Sequence, residues 1–221
     1  MYKAVIFDLD GTLLDTLKDI AISANHVLNE YGKSPIETQK YRYLVGSGAL
    51  ALMQSILPNL SDEEYQKALE IFEKHYTKQF DVNTQKYEGI SKMLTFFQVR
   101  GYKMAVLSNK PNRFTKMCVL KYLKNWNFDA VYGVREGVPK KPDPAGVFEI
   151  LKELHVKPEE TLYVGDTKID MQTALSAGVT PIGVLWGFRE KEELLEYGAK
   201  YIVANPSEII KLVVTMESIK R

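Results

Sequence analysis

From about residue 87 onward the chain alternates short apolar runs with longer amphipathic stretches, and few architectures accept that rhythm. Strand-like runs at 104–107, 130–132, 161–164 and 180–185 are separated by helical stretches that begin at Asn112 and Pro144 and span 169–177. Runs that are apolar without a break suit strands covered on both faces, so the pattern predicts an α/β fold, a doubly wound parallel sheet flanked by helices. The run Lys3-Ala4-Val5-Ile6-Phe7 predicts a first strand of the same sheet, although a long stretch of different texture separates it from the others.

That stretch reads as helical. Ile20, Ala24, Val27, Leu28 and Tyr31 recur at helical spacing, Ser61 to Glu64 forms a capping-box start, and Leu69, Phe72 and Tyr76 continue a second amphipathic pattern. Breaks fall at 32–35, at 46–48 and at Pro58, and no strand is expected in the stretch. The organisation that follows is an α/β core formed by 1–14 and 81–221, with a small α-helical domain inserted at 15–80.

Composition narrows the function. Lysine and arginine total 29 against 28 aspartates and glutamates, leaving no strong net field to gather nucleic acid or an anionic membrane surface. Cys118 is the only cysteine, so no intramolecular disulfide can form and no zinc-ligand spacing exists. The first apolar run is too short for a secretory segment, and no run approaches the roughly 20 residues of a membrane helix. A cytoplasmic protein, monomer or homodimer, with no nucleic-acid or membrane partner is the expectation.

Ligands of open α/β sheets sit beyond the carboxyl ends of the strands. Four segments at those ends share one theme: Asp8 and Asp10; Ser108-Asn109-Lys110; Lys140-Lys141-Pro142-Asp143; and Gly165-Asp166-Thr167, with Asp170 four residues beyond Asp166. Carboxylates crowded on one rim repel each other unless a cation neutralises them, and an all-oxygen set of few carboxylates suits Mg²⁺. With its charge so balanced, a carboxylate can approach an anionic phosphate and act as nucleophile, while a hydroxyl and a lysine bind the phosphoryl oxygens.

The segments Asp8-Leu9-Asp10-Gly11-Thr12-Leu13, Ser108-Asn109-Lys110, Lys141-Pro142 and Gly165-Asp166-Thr167-Lys168-Ile169-Asp170 resemble the four ordered motifs of the haloacid dehalogenase superfamily, in its phosphatase branch. The resemblance spans nearly the whole chain. It implies a Rossmann-like hydrolase core with a helical cap, and a phosphatase working through an aspartyl-phosphate. Asp8 would be the nucleophile and Asp10 the general acid and base. Mg²⁺ would be held by Asp8, the backbone carbonyl of Asp10 and Asp166, with Asp170 and Thr12 in support. Ser108, Asn109 and Lys141 would bind the phosphate. The stretches 107–111, 138–142, 45–48 and 184–187 are most similar to phosphoglycolate phosphatases, which implies a small phosphorylated metabolite such as 2-phosphoglycolate as substrate. Thr16 stands where many members have serine, and Asp143 where histidine is common.

Several residues carry competing readings. Asp-x-Asp alone is usually turn chemistry, Ser108-Asn109 suits a helix cap, and Asp166 and Asp170 suit a helix N-terminus. Lys110 and Lys140 are expected mainly at the surface, Cys118 in the core, and His26, His75 and His155 in ordinary helical settings. In the helical insertion Arg42, Gly46, Ser47 and Gly48 are the candidates for substrate contact, with Arg42 as the cation a substrate carboxylate would need. A pyrophosphatase and a sugar-phosphate phosphatase or mutase are alternatives within the superfamily. A phospho-accepting signalling module and an inactive binding protein are alternatives from other classes.

Overall fold

The first strand, β1 (Ala4–Phe7), is fully buried and becomes the middle of the molecule because two later strands pair with it on either side. In the computed structural model, which describes residues 1–219, β1 lies parallel to β4 (Lys103–Pro111) and to β6 (Thr161–Gly165). With β5 (Ala130–Val134), β7 (Thr180–Val184) and β8 (Tyr201–Val203) they form one six-stranded sheet in the order β5-β4-β1-β6-β7-β8. Every pairing in it is parallel, as the alternating pattern predicts.

Successive side chains of a strand point to opposite faces, and β1 shows the consequence. Val5 and Phe7 join a core with α4 (Ile90–Val99), α5 (Asn112–Tyr122) and α9 (Pro206–Ile219), through Met93, Phe97, Cys118, Ile209 and Val213. Ala4 and Ile6 face the other way, onto α6 (Ala145–Leu154) and α7 (Lys168–Ser176), through Val147, Ile150, Leu154 and Ala174. The short α8 (Lys191–Glu196) follows β7 and buries Leu194.

The helical insertion comprises α1 (Leu17–Glu30), a 3-10 turn at Thr38–Tyr43, α2 (Ala49–Ile56) and α3 (Asp62–Gln79). The expected capping box opens α3: Ser61 Oγ accepts from the Glu64 N–H at 3.3 Å, and Glu64 Oε2 accepts from the Ser61 N–H at 2.8 Å. The insertion has its own core around Ala24, Leu28, Tyr41, Met53 and Phe72, and two side chains from the sheet domain, Phe114 and Phe188, complete it.

Three local features depart from the sequence expectations. Leu14–Asp15 is a two-residue strand (β2) paired antiparallel with Gln85–Lys86 (β3), where no strand was expected at the start of the insertion. Two-residue strands leave no period to read. Helix α4 lies ahead of the first apolar run in the alternation, and β4 continues through Ser108-Asn109-Lys110 as far as Pro111 rather than ending in a loop at Leu107. The register between β4 and β5 breaks between Leu107 and Pro111, which leaves those residues extended but free to turn their side chains toward the site.

Candidate active site

Asp8 ends β1 at the point where the sheet order reverses, the place where doubly wound sheets bind ligands. One ligand atom from each of Asp8, Asp166 and Asp170 falls within 4.8 Å of the others, and all three residues are buried. Lys141 reaches in from the segment between β5 and α6, with Nζ 3.0 Å from Asp8 Oδ1 and 2.7 Å from Asp170 Oδ1. A single ammonium therefore serves two carboxylates, and among the described residues Asp166 is left without a cation of its own.

Asp166 is held by donors rather than by charge. Its Oδ1 accepts from Thr12 Oγ1 at 2.8 Å and its Oδ2 from the Phe188 N–H at 2.8 Å. Three glycines let the backbone close around these acids: a Cβ at Gly11, where φ is +87°, would stand 2.2 Å from Asp166 Oδ2, one at Gly187 2.3 Å from Asp166 Cβ, and one at Gly165 2.3 Å from Asp170 Cβ. Asp170 accepts at Oδ2 from both the N–H and the hydroxyl of Thr167, closing the first turn of α7.

Burial penalises this concentration of negative charge. Asp8 is pushed up to about 7, first by burial and then by Asp170 and Asp10, while Lys141 pulls it down. Asp166 is raised well above the carboxylate range by burial and by Asp170 and Asp8, against the two donors named above. Lys141 moves the opposite way to what burial alone would cause, because Asp170 and Asp8 hold it charged. Carboxylates held this way would be relieved by a divalent cation; the all-oxygen, buried donor set fits Mg²⁺.

Asp10 turns away from this cluster. Its Oδ1 accepts from Thr16 Oγ1 at 2.7 Å, and both of its oxygens lie 2.9 Å from Lys110 Nζ. The expectation that Lys110 lies at the surface is therefore corrected: it is 7% exposed, its ammonium sits 4.8 Å over the Tyr76 ring, and against burial, Asp10 together with Tyr76 and Cys118 keeps it charged. Ser108 and Asn109 are buried next to it; the Ser108 hydroxyl accepts from the Lys110 N–H at 3.2 Å, and the Asn109 amide donates to the carbonyls of Gly46 and Lys141.

A cavity of about 60 Å³ opens over Asp8 and Asp10, with Ser108, Asn109 and Lys110 on the sheet side. Its other wall is apolar, built from Ile20, Val45, Leu52 and Phe72 of the insertion together with Phe114, and Gly46 and Gly48 line it as well. Arg42 is not brought to this cavity. Its guanidinium crosses to the loop after β7, donating to the carbonyls of Gly187 at 3.1 Å and Phe188 at 3.2 Å and pairing with Glu190 at 3.4 Å, because the 3-10 turn aims it at that seam. Ser47 also lies outside the cavity lining, and Lys140 is exposed as expected. Tyr76, Arg189 and Phe188 escaped the sequence reading; only the spacing of Tyr76 within an amphipathic helix was visible, and it marked core.

A sheet whose switch point gathers three carboxylates, a shared lysine and a hydroxyl beneath a helical insertion defines a phosphoryl-handling hydrolase. The sequence profile of the haloacid dehalogenase-like hydrolases matches residues 5–184, and the chain belongs to that family. A phosphoglycolate phosphatase of Aquifex aeolicus is 32% identical over 210 residues, covering 95% of this chain and 96% of the relative. A phosphoglycolate phosphatase of Pseudomonas savastanoi pv. phaseolicola is 31% identical over 214 residues, covering 94% and 78%. A Clostridium acetobutylicum protein predicted to be a phosphatase, known from its crystal structure, superposes with a TM-score of 0.89 at 26% identity, covering 97% of this chain and 99% of that one. The protein is accordingly a phosphatase of this family, similar to the phosphoglycolate phosphatases. No helix among the described residues is long and apolar enough to cross a membrane.

Proposed function

We propose that the protein hydrolyses a small phosphomonoester, 2-phosphoglycolate or a close analogue, through an aspartyl-phosphate on Asp8 and with Mg²⁺ as cofactor. The observation that carries this reading is the position of the Asp8 carboxylate: on the cavity floor, 3.0 Å from Lys141 and within 4.8 Å of Asp166 and Asp170. Asp8, Asp166 and the Asp10 carbonyl would hold the metal, which when bound supplies charge neutralisation that lets one anion approach another.

The chain's own groups account for the rest. Asp8 attacks phosphorus, and the bond to the ester oxygen breaks. Asp10 gives that oxygen a proton, and later takes one from the water that cleaves the aspartyl-phosphate. Ser108, Asn109 and Lys141 bind the phosphoryl oxygens where charge accumulates. The apolar wall of Ile20, Leu52 and Phe72 limits water around the leaving group.

A carboxylate on the leaving group needs a cation in so dry a cavity. Lys110 is the cation available there, in place of Arg42. On approach of a substrate carboxylate its ammonium exchanges Asp10 for the substrate, which frees Asp10 to carry a proton. Names of the relatives support phosphoglycolate as the ester.

The test is phosphate release from 2-phosphoglycolate, pyrophosphate, sugar phosphates and an aryl phosphate, with and without Mg²⁺, in the wild type, Asp8→Asn and Lys110→Met. Metal-dependent turnover that vanishes in Asp8→Asn is expected, with phosphoglycolate preferred and its advantage over the aryl ester reduced at least tenfold in Lys110→Met, an estimate from the typical worth of a charge-assisted bond of about 1.5–3 kcal/mol. Turnover in Asp8→Asn equal to the wild type would remove the mechanism. A different preferred ester would retain the mechanism and remove the substrate.

A further inference from the structure

The loop between the 3-10 turn and α2 contains three successive carbonyls, those of Val45, Gly46 and Ser47, that accept no backbone hydrogen bond. The turn closes when the Val45 N–H donates to Tyr41, and the first acceptor used by α2 is Gly48, so these three fall in between. Val45 is buried and Gly46 and Ser47 are half-buried, and a carbonyl shielded from water requires a donor. Each receives one from a different segment of the sheet domain: Val45 from Arg189 Nη2 at 3.0 Å, Gly46 from Asn109 Nδ2, in the end of β4, at 3.0 Å, and Ser47 from Lys140 Nζ at 2.8 Å.

The donors stand beside the residues of the site. Asn109 follows Ser108, Lys140 precedes Lys141, and Arg189 follows Phe188, whose N–H holds Asp166. Gly46 and Gly48, at φ +116° and +92°, give the loop the turn that presents its carbonyls outward, and a Cβ on Gly48 would come within 3.0 Å of the Asn109 carbonyl. The approach is that close because backbone meets backbone.

We propose that Lys140, Asn109 and Arg189 form a clasp that reads three consecutive carbonyls and fixes the closed position of the helical insertion over the cavity, with Lys140 and Arg189 as positioning residues. The proposal builds on the phosphatase reading of the site. All three bonds run from the sheet domain to the insertion, so they form together only when the segments bearing Ser108, Lys141 and the Asp166 support are in the arrangement seen here. Closure of the insertion in turn immobilises those segments. Lys140 makes the most accessible contact: its side chain is exposed and, among the described residues, it donates to the Ser47 carbonyl alone. Arg189 is 8% exposed and also pairs with Glu193 at 3.3 Å.

Lys140→Met keeps the aliphatic stem and removes the donor. Its amides around 46–49 are expected to exchange hydrogen faster than the wild type in the absence of substrate, with an unchanged thermal midpoint. KM is expected to rise roughly three- to tenfold with kcat changed less than twofold, the effect of one charge-assisted bond on the closed population. Lys140→Arg, which retains a donor, restores both. Exchange in Lys140→Met equal to wild type overturns the clasp, as does failure of Lys140→Arg to restore it. The exchange measurement needs no turnover: a wild type without phosphatase activity would defeat the functional reading, while the loop amides would still decide the clasp.

Discussion

At the residue scale, the acid most heavily bonded among the described residues lies outside the carboxylate cluster of the candidate site. Asp19, in the first turn of α1 and fully buried, accepts from the backbone N–H groups of Asn83 and Thr84, the Thr84 hydroxyl and the side-chain amides of Asn83 and Gln79. Burial would push its carboxyl up, but the donors from Asn83, Thr84 and Gln79 outweigh it and hold the group below the ordinary value. A depressed folded value stabilises the protein above the unfolded value near 3.9 and ceases to do so as pH falls through the folded one. Asp19→Asn, which turns an acceptor into a donor facing donors, is expected to cost about 2–3 kcal/mol at pH 7. In urea titrations that gap should begin to narrow below about pH 4, where the unfolded chain protonates, and close further as the folded protein protonates at lower pH; a gap constant down to pH 2 would mean that the charge contributes nothing. Asp8, Asp10, Asp166 and Asp170 could be singled out in the sequence because they sit in short ordered motifs. Lys110 and Arg189 could not, since where a long cationic side chain ends depends on packing against Tyr76, Asp10 and Tyr43 contributed from distant positions.

At the scale of elements, α5 has two allegiances. Cys118 packs in the core beneath the sheet, as its apolar setting led one to expect, whereas Phe114, one turn earlier, belongs to the core of the insertion and meets the Tyr76 ring edge-on at 5.0 Å. Phe114→Ala should therefore lower stability by about 3–4 kcal/mol and loosen α3 against α5. Chemical denaturation measures the first effect, and faster exchange of α3 amides the second; a loss under 1 kcal/mol would show that the insertion does not depend on this contact. Strands β1, β4, β5, β6 and β7 and helices α5, α6 and α7 could be read from the alternation of unbroken apolar runs with amphipathic stretches, whereas α4 and the elements after β7 could not be placed one by one. The β2–β3 pairing and the continuation of β4 past Leu107 could not, because two residues have no period and Ser108-Asn109-Lys110 carries the composition of a turn while lying extended.

Across the whole molecule, the cluster of buried carboxylates leads us to predict a dependence on metal. Asp8 and Asp170 share one lysine while Asp166 beside them pairs with no cation among the described residues, so a cation that binds the folded chain alone must stabilise it. Mg²⁺ at 100 times its dissociation constant should add about 2.7 kcal/mol, or roughly 5–10 °C in the thermal midpoint for a chain of this size. Chelation should reverse the gain, and Asp166→Asn should abolish it. A midpoint indifferent to Mg²⁺ in differential scanning calorimetry would remove the cation from this site.

The stitch between β2 and β3 bears on the history available to such a chain. Leu14 lies opposite Lys86 and Asp15 opposite Gln85, so everything from Thr16 to Thr84 departs and returns at a single point, with its ends about 5 Å apart. Seen from the sheet, that entire stretch occupies the place of one hairpin turn. So long as Phe114 and Phe188 stay covered, its helices can be lengthened, shortened or exchanged for others without altering a strand register, which under the proposed function would make the part that faces the substrate replaceable and the part that faces phosphorus permanent.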